Sequence, residues 1–499
     1  MKFQGKILVI GCGSVSQCAL PLILKLTGAS PKNVTIMDPV DNRARVKDVL
    51  DQGVRYVFER VVQDNYKTLL AKYVGSGDFI IDLAYDIDCC AILQWCHDNN
   101  VLYINTSVEL WHPYHGAEGK HPTELTLYAR QMAMQKTMKS WKNPKGATII
   151  MDHGANPGLV SHFTKQALLE IGEKILREKP QDPRKTQLEM ALKDLNFSKL
   201  AQLEGVKTIH ISERDTQITD RPKEVNEFVN TWSIIGFYEE GVAPAELGWG
   251  THERYIPKGA MHHKEGPKNQ ICLRTKGINT WVRSWVPCGE ITGMVIRHGE
   301  AFSIADRLTV WEGTKAVYRP TVHYAYCPAD VAINSIHELE MRQFELQEKQ
   351  RILNDEIISG RDELGCLLMG HDFNSWWIGS LLDIEEARKL APHQNATTLQ
   401  VAISAVAAAM WAIQNPNEGF CLPDDLPHDE ILKVAKPYLG PFVSKAVDWT
   451  PLKDRKNHFL DYGAKIPKAE DVWQFTTFLV NPTEIEAIKS ESYREAVLS

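Results

Sequence analysis

At 499 residues the chain is longer than one hydrophobic core usually serves, so two or three domains are expected. Its composition is that of a globular protein, 43% hydrophobic and 24% charged, and a net charge of −7 argues against a nucleic-acid partner. Ten cysteines without a CxxC pair argue against a disulfide framework and against a zinc site, so no metal is expected and a reducing, cytoplasmic home is the simplest one.

The first residues, MKFQGKILVIGCGS, carry too short an apolar run for a secretion signal. From there to residue 155, short β-rich runs alternate with helical segments. KILVIG (6–11), NVTIMD (33–38), VRYVFERV (54–61), DFIIDLA (78–84), VLYINT (101–106) and ATIIMDH (147–153) are strand-like, each compact and rich in Val, Ile or aromatics. The segments between them, such as QCALPLILKL and DIDCCAILQWCHDNN, space their apolar residues as helices do. Six strands in two mononucleotide-binding halves predict an α/β fold: a Rossmann doubly wound parallel sheet, with an NAD-binding domain over 1–155.

After Gly154 the pattern changes. GLVSHFTKQALLEIGEKI predicts a helix, whereas IHISERDTQ, TWSIIGFYEE, WVRSWVP and MVIRHGEAFSIAD have β character. An α+β substrate and dimerisation domain with a mixed sheet is expected over 156–384. VAINSIHELEMRQFELQEKQRI (331–352) predicts helix, and 177–186 an exposed loop. AISAVAAAMWAI (402–413), the longest apolar run, is about half a membrane span, so no membrane segment is expected. It reads as a buried helix within a stretch, about 385–430, that returns to the first domain. The segment 431–499 is mixed and polar and predicts no particular element.

One stretch, VNTWSIIGFYEEGVAPAELGWG (229–250), combines Trp232, Phe237, Tyr238 and Trp249 with Glu239, Glu240 and Glu246 and no basic residue. Acids neutralise a cation and ring faces attract it, so an organic cation is the ligand such a surface suits.

ILVIGCGSVS follows a strand and opens a helix, the context a dinucleotide fingerprint requires. Gly11 permits the tight turn, Gly13 lets backbone approach a pyrophosphate, and amides from Ser14 and Val15 onward point at the phosphates. Ser16 stands where a third glycine is usual, a tolerable departure at a packing position. Asp38 ends the second strand, where an acid bonds ribose hydroxyls and disfavours a 2′-phosphate; NAD is therefore expected over NADP. Leu83 and Thr106 are further candidate cofactor contacts. Asn156 and Pro157 in GANPG (154–158) place an amide near the nicotinamide at a helix start. The bland alternatives are a tight turn without a ligand and an ordinary helix cap.

The strings IHISERDTQ, NTW, PAELGWG, GANPG, SIAD, YRPT with HYAY, and WQF resemble bacterial homospermidine synthase, a family related to the saccharopine and carboxynorspermidine dehydrogenases. The resemblance runs from about Lys6 to Leu452 and again near Trp473. It implies a redox-neutral transferase with resident NAD: one amine carbon of putrescine gives up a hydride, a second putrescine attacks the imine, ammonia leaves, and the hydride returns. Putrescine and other small polyamines, including spermidine, are the implied partners, and a homodimer the implied assembly.

The resemblance also implies roles. Trp232 lays its indole over the iminium, Glu213 faces the reacting amine, and Asn156 and His298 complete the catalytic group, His298 as a proton shuttle. Asp86, Glu109, Glu240 and Glu300 bind ammonium groups. Such an amine, with a pKa of about 10.4, reacts only after losing a proton, and carboxylates can both bind it and accept that proton. The plain readings are a core tryptophan, a structural histidine and a Glu213–Arg214 ion pair. Glu239, Glu246 and Glu253 read as surface or salt-bridge residues.

Two rivals follow. A related imine reductase acting on an amino acid needs a guanidinium clamp, for which Arg214, Arg254, Arg283 and Arg297 are available. A non-catalytic NAD sensor needs no proton-transfer groups at the nicotinamide end.

Overall fold

Runs that are apolar at every position bury both faces of a strand, and here they pair in parallel. The computed structural model describes residues 2–113, 115–455, 467–481 and 485–487. β1 (Ile7–Ile10), β2 (Val34–Met37), β3 (Arg55–Val57), β4 (Phe79–Asp82), β5 (Leu102–Asn105) and β6 (Ile149–Ile150) form one sheet. The spatial order is β6-β5-β4-β1-β2-β3, every pair parallel, with the two-residue strand Phe420–Cys421 added beside β6. β1 is thus flanked by β2 and β4, and the order reverses there. In such sheets ligands bind in the crevice outside the strand ends at this point. The third run proves shorter than its eight residues suggested: only Arg55–Val57 is strand.

Helix α1 (Ser14–Thr27) covers one face, burying Cys18, Ala19, Leu20, Leu22 and Ile23. The apolar helix Ala396–Gln414 packs on α1 and β5, with Ala402, Ala405, Ala408 and Ala409 buried. Small residues on both sides permit that close approach. By length and composition it is the one helix among the described residues that could cross a membrane, yet most of it is buried within the protein.

The second sheet has ten strands and is mixed. At its centre β7 (Thr208–Asp215) runs parallel to β8 (Thr321–Cys327) and antiparallel to Arg361–His371. Ile209, Ile211, Tyr324 and Tyr326 join the apolar cluster that contains Val9, Ile81 and α1, so one core spans both sheets. The opposite face of the second sheet is covered by Trp249, Phe475 and Phe478.

Several expected elements differ. TWSIIGFYEE is not a strand: β structure ends at Asn230, and the Ser233 side chain accepts from Gly236 N to cap a helix over Ile234–Val242. Aromatic and β-branched residues mimic a strand there, but the cap and the packing of Phe237 against Phe228 decide for helix. Within MVIRHGEAFSIAD, strand ends at Met294 and Glu300–Arg307 is helical. The helix expected over 331–352 spans only Asp330–Met341, because Gln343 and Phe344 adopt left-handed backbone, and Lys349–Ile352 pairs with Glu227–Asn230. The expected loop at 177–186 begins inside the helix Leu159–Glu178 and ends inside Lys185–Lys193. Of the 431–499 segment, 456–466, 482–484 and 488–499 lie outside the described residues; the remainder includes Phe442–Val447, a strand of the second sheet, and the short helix Phe475–Phe478.

Candidate active site

The crevice at the sheet reversal is a cleft of about 420 Å³ lined by Gly11, Gly13, Asp38, Leu83, Asp86 and Trp111, among others. Gly11 has φ +87°, and an added Cβ would come within 3.0 Å of Leu83 O, so this turn accepts only glycine without strain. A Cβ at Gly13 would meet only open space, and the N-terminus of α1, which begins at Ser14 and Val15, has no side-chain cap. The first-turn amides, which no side chain caps, suit an anion. Asp38 accepts from Cys12 N at 2.6 Å and Val40 N at 2.7 Å, which fixes its carboxylate at the end of β2. Ser16 is fully buried at the packing position. A dinucleotide fits this frame: an open glycine turn for the pyrophosphate and a fixed acid for a ribose.

Beyond β6 the chain turns sharply at Asn156–Pro157, held by Gly154 N donating to Pro157 O at 2.6 Å. Gly158 has φ +131°, and a Cβ on it would collide with Gly154 O; only glycine fits. The helix starts at Leu159, so Pro157 lies before it rather than in its first turn. Thr106 lies against Gly154. This turn carries the Asn156 amide to β7, where Nδ2 donates to Glu213 Oε2 at 3.0 Å.

Glu213 does not pair with Arg214, whose guanidinium turns to Asp330, Asp215 O and Pro328 O. Instead the Tyr324 hydroxyl donates to Glu213 Oε2. Tyr324 and Tyr326, two apart on β8, share a face and stack with centroids 5.1 Å apart. Tyr326 OH accepts from Trp232 Nε1 at 2.9 Å. Trp232 is half-buried, edged by Phe237, so it is neither a sealed core residue nor a free one.

The His298 ring lies 4.4 Å from that of Tyr324 and bridges two carboxylates, with Nε2 2.9 Å from Glu240 Oε2 and Nδ1 3.2 Å from Glu300 Oε1. Gly299 makes room for Asp152, since a Cβ there would fall 2.0 Å from Asp152 Oδ2. The structure therefore gathers Asn156, Glu213, Trp232, His298, Glu240 and Glu300 into one group. Asp86 and Glu109 lie at the mouth, beyond the ends of β4 and β5, near Glu239.

Electrostatics follow from burial. Burial pushes Glu213 up to about 7, against the hydrogen bond from Tyr324, which favours the charged form. Burial and then the Glu109 charge raise Glu239 to about 7. Burial and the nearby Glu300 hold the Asp152 carboxyl well above the usual range, and burial raises Glu109. Burial opposes charge on His298, yet Glu300 and Glu240 outweigh it and keep the imidazole protonated well above its ordinary value. Two guanidinium groups, Arg130 and Arg297, sit among these acids, but they donate to Val108 O and Leu125 O.

Two curated proteins named homospermidine synthase match over nearly the whole chain. The one from Mesorhizobium japonicum is 40% identical over 488 residues, covering 96% of this chain and 97% of its own. The chain belongs to the homospermidine synthase family. The homospermidine synthase of Blastochloris viridis is likewise 40% identical, over 96% of this chain and 98% of its own. A crystal structure of homospermidine synthase from Legionella pneumophila in complex with NAD superposes with a TM-score of 0.84 at 36% identity, covering 96% of this chain and 99% of that one. Two family models also match: the saccharopine dehydrogenase NADP binding domain at residues 7–150 and the saccharopine dehydrogenase C-terminal domain at 154–447.

In this homospermidine synthase relative, sequence reasoning passed over Tyr324, Tyr326 and Asp152. The tyrosines were visible as HYAY, two aromatics at strand spacing, and Asp152 as an acid two residues past β6, near where Asp38 follows β2 and Asp82 ends β4. Glu246 and Glu253, expected as surface or salt-bridge residues, are fully buried. Glu246 accepts from Leu127 N and Tyr128 N; Glu253 accepts from Phe475 N and the Thr321 hydroxyl. Neutral donors, backbone amides with the Gln270 amide on Glu246 and the Thr321 hydroxyl on Glu253, hold both, and their sequence neighbours give no sign of it. Glu239 is half-buried at the site mouth.

Proposed function

We infer that the protein is a homospermidine synthase, an NAD-using enzyme that transfers a 4-aminobutyl group between two putrescine molecules, or from spermidine, with release of ammonia. Family membership over 96% of the chain supports the activity, and the fit of the α1 turn and Asp38 supports NAD. One observation carries the chemical reading: Glu213, poised near neutrality, is joined through Tyr324 and Tyr326 to the Trp232 indole and to a charged His298 held between two carboxylates.

When bound, NAD supplies the hydride acceptance and return that the reaction needs. The protein does the rest. Asp86, Glu109 and Glu239 attract a diammonium substrate at the mouth, and Glu240 and Glu300 anchor its outer nitrogen while His298 balances their charge. Glu213 takes the proton of the reacting amine, which can then become an imine. The Trp232 face stabilises the cationic iminium by about 2 kcal/mol where water is excluded. A second amine adds to the imine carbon, and the proton its nitrogen then gives up passes to the original nitrogen, which departs as ammonia. Asn156 orients Glu213 beside the reacting carbon.

The imine-reductase reading lacks its clamp. Arg214 faces Asp330, Arg254 faces Asp471, Arg297 donates to Leu125 O, and Arg283 lies on the strand Trp281–Val286 where its charge acts on Arg455. The working domain organisation remains residues 1–155 joined by about 385–430, supported by the packing of Ala396–Gln414 on α1 and of Phe420–Cys421 on β6, with 156–384 as the substrate and dimerisation part. A cytoplasmic site agrees with ten free cysteines, and sedimentation tests the homodimer. The direct test is incubation with putrescine and NAD: homospermidine and ammonia should form without net NADH. Consumption of NADH with an amino acid and an aldehyde instead would favour the reductase.

A further inference from the structure

Glu213 has two carboxylate oxygens, and the protein treats them differently. The Asn156 amide and the Tyr324 hydroxyl both donate to Oε2. Among the described residues Oε1 receives no protein donor, although the side chain is buried to 3% exposure. Such one-sided satisfaction in a buried acid has a physical consequence, because a carboxylate oxygen that already accepts two hydrogen bonds is the poorer base. The lone pairs of the other remain available to a proton.

We propose that Tyr324 is a positioning residue for the amine chemistry: its phenol, with Asn156, saturates Glu213 Oε2 and so makes Oε1 the atom that takes the proton of the reacting amine. The phenol is itself held in place. Its ring stacks on Tyr326 at an interplanar angle of 17° and meets the His298 ring at 4.4 Å, so its hydroxyl has a fixed aim. Register does the rest, since Tyr326 is the direct partner of Glu213 across the parallel pair β7–β8 and Tyr324 lies two residues along on the same face. Tyr326 is assigned a separate duty. Its hydroxyl accepts from Trp232 Nε1 and therefore orients the indole rather than the base. One strand, β8, thus sets the aim of both the base and the ring face.

This division rests on the reading of Glu213 as the amine's base, and it predicts different signatures for two substitutions that each remove one oxygen atom. Tyr324→Phe withdraws a hydrogen bond that favours the carboxylate, so Glu213 should titrate at higher pH. Tyr326→Phe leaves Oε2 untouched and should disturb Trp232 alone.

The test is the pH titration of Glu213 in the protein with NAD bound, followed as the infrared carboxyl band that disappears in Glu213→Gln. Tyr324→Phe should move its midpoint upward by about one pH unit, and the acid limb of kcat/KM for putrescine should move with it. Tyr326→Phe should raise KM for putrescine and leave the midpoint in place. If Tyr324→Phe does not fold, trifluorotyrosine at position 324, a stronger donor, should move the midpoint down instead. An unmoved midpoint in Tyr324→Phe or in the fluorinated protein would overturn the proposal, whether or not putrescine is turned over. An unmoved midpoint concerns Tyr324 alone, whereas absence of homospermidine from the unaltered protein concerns the proposed function.

Discussion

His298 Nε2 lies 2.9 Å from Glu240 Oε2, and the two side chains share one charge arrangement that neither could hold alone. Glu300, 1% exposed, closes the arrangement from the other ring nitrogen. Replacing His298 by Gln removes the positive charge and leaves a buried acid uncompensated, a change that costs about 3 kcal/mol in comparable buried pairs. Thermal unfolding should show that loss, and kcat for putrescine should fall at least about tenfold, because Glu240 and Glu300 lose the charge that balances them. Retention of full activity would remove His298 from the mechanism.

Substrate binding should release protons. Glu213 and Glu239, each raised to about 7, are partly protonated in the free protein near neutrality, and Asp152 and Glu109 are shifted in the same direction. An ammonium group placed against them favours the carboxylates. Calorimetry of putrescine binding in buffers of different ionisation enthalpy should therefore report net proton release at pH 7, shrinking as pH rises above 8. Net uptake would mean that the acids do not meet the amine.

Trp232 is tested by its ring rather than its size. Trp232→Ala should fold and bind NAD but lose about 30-fold or more in kcat/KM, the equivalent of about 2 kcal/mol. Trp232→Phe keeps a weaker ring face and should recover part of the loss. Equal kinetics for the two variants would assign Trp232 a packing role only.

Glu253 lies far from the amine chemistry and should affect stability instead. Burial raises it to about 8, above the ordinary carboxylate range, so its folded state binds the extra proton. The stability this contributes is complete below about pH 4.5 and is lost as pH rises through about 8. Glu253→Gln abolishes that dependence, and its melting temperature relative to the parent should improve steadily from pH 5 to pH 8. Glu253→Ala leaves Phe475 N–H and the Thr321 hydroxyl without their acceptor and should cost about 2 kcal/mol near pH 5, a difference that narrows toward pH 8 as the parent loses its own stability. A flat difference for Glu253→Gln would contradict the buried, neutral carboxyl.

What the sequence made legible was set by periodicity. The strands β1, β2, β4 and β5 were readable because their residues are apolar at consecutive positions, and Gly11, Gly13 and Asp38 because a nucleotide turn demands them in fixed order. Phe420–Cys421 was not, since two residues show no period. Residues 231–240 misled because Trp232, Ile234, Ile235 and Phe237 favour strands locally, while the helix depends on a cap and a partner that are tertiary. The acids divide the same way. Glu213 stood out through the resemblance of its string, whereas Glu246 and Glu253 looked like surface or salt-bridge residues because their donors come from elsewhere in the chain. Tyr324 could be placed against Glu213 only once β7 and β8 were seen to pair in parallel.

The measurement that bears most directly on the redox-neutral transfer is the isotope content of the product. With putrescine deuterated at both amine-bearing carbons, unlabelled NAD and this protein, the account predicts homospermidine that retains every deuterium, ammonia in equal amount, and no accumulation of reduced cofactor. Homospermidine lacking one deuterium, or deuterated reduced cofactor building up in solution, would show that the hydride is not handed back within the same site and would contradict it.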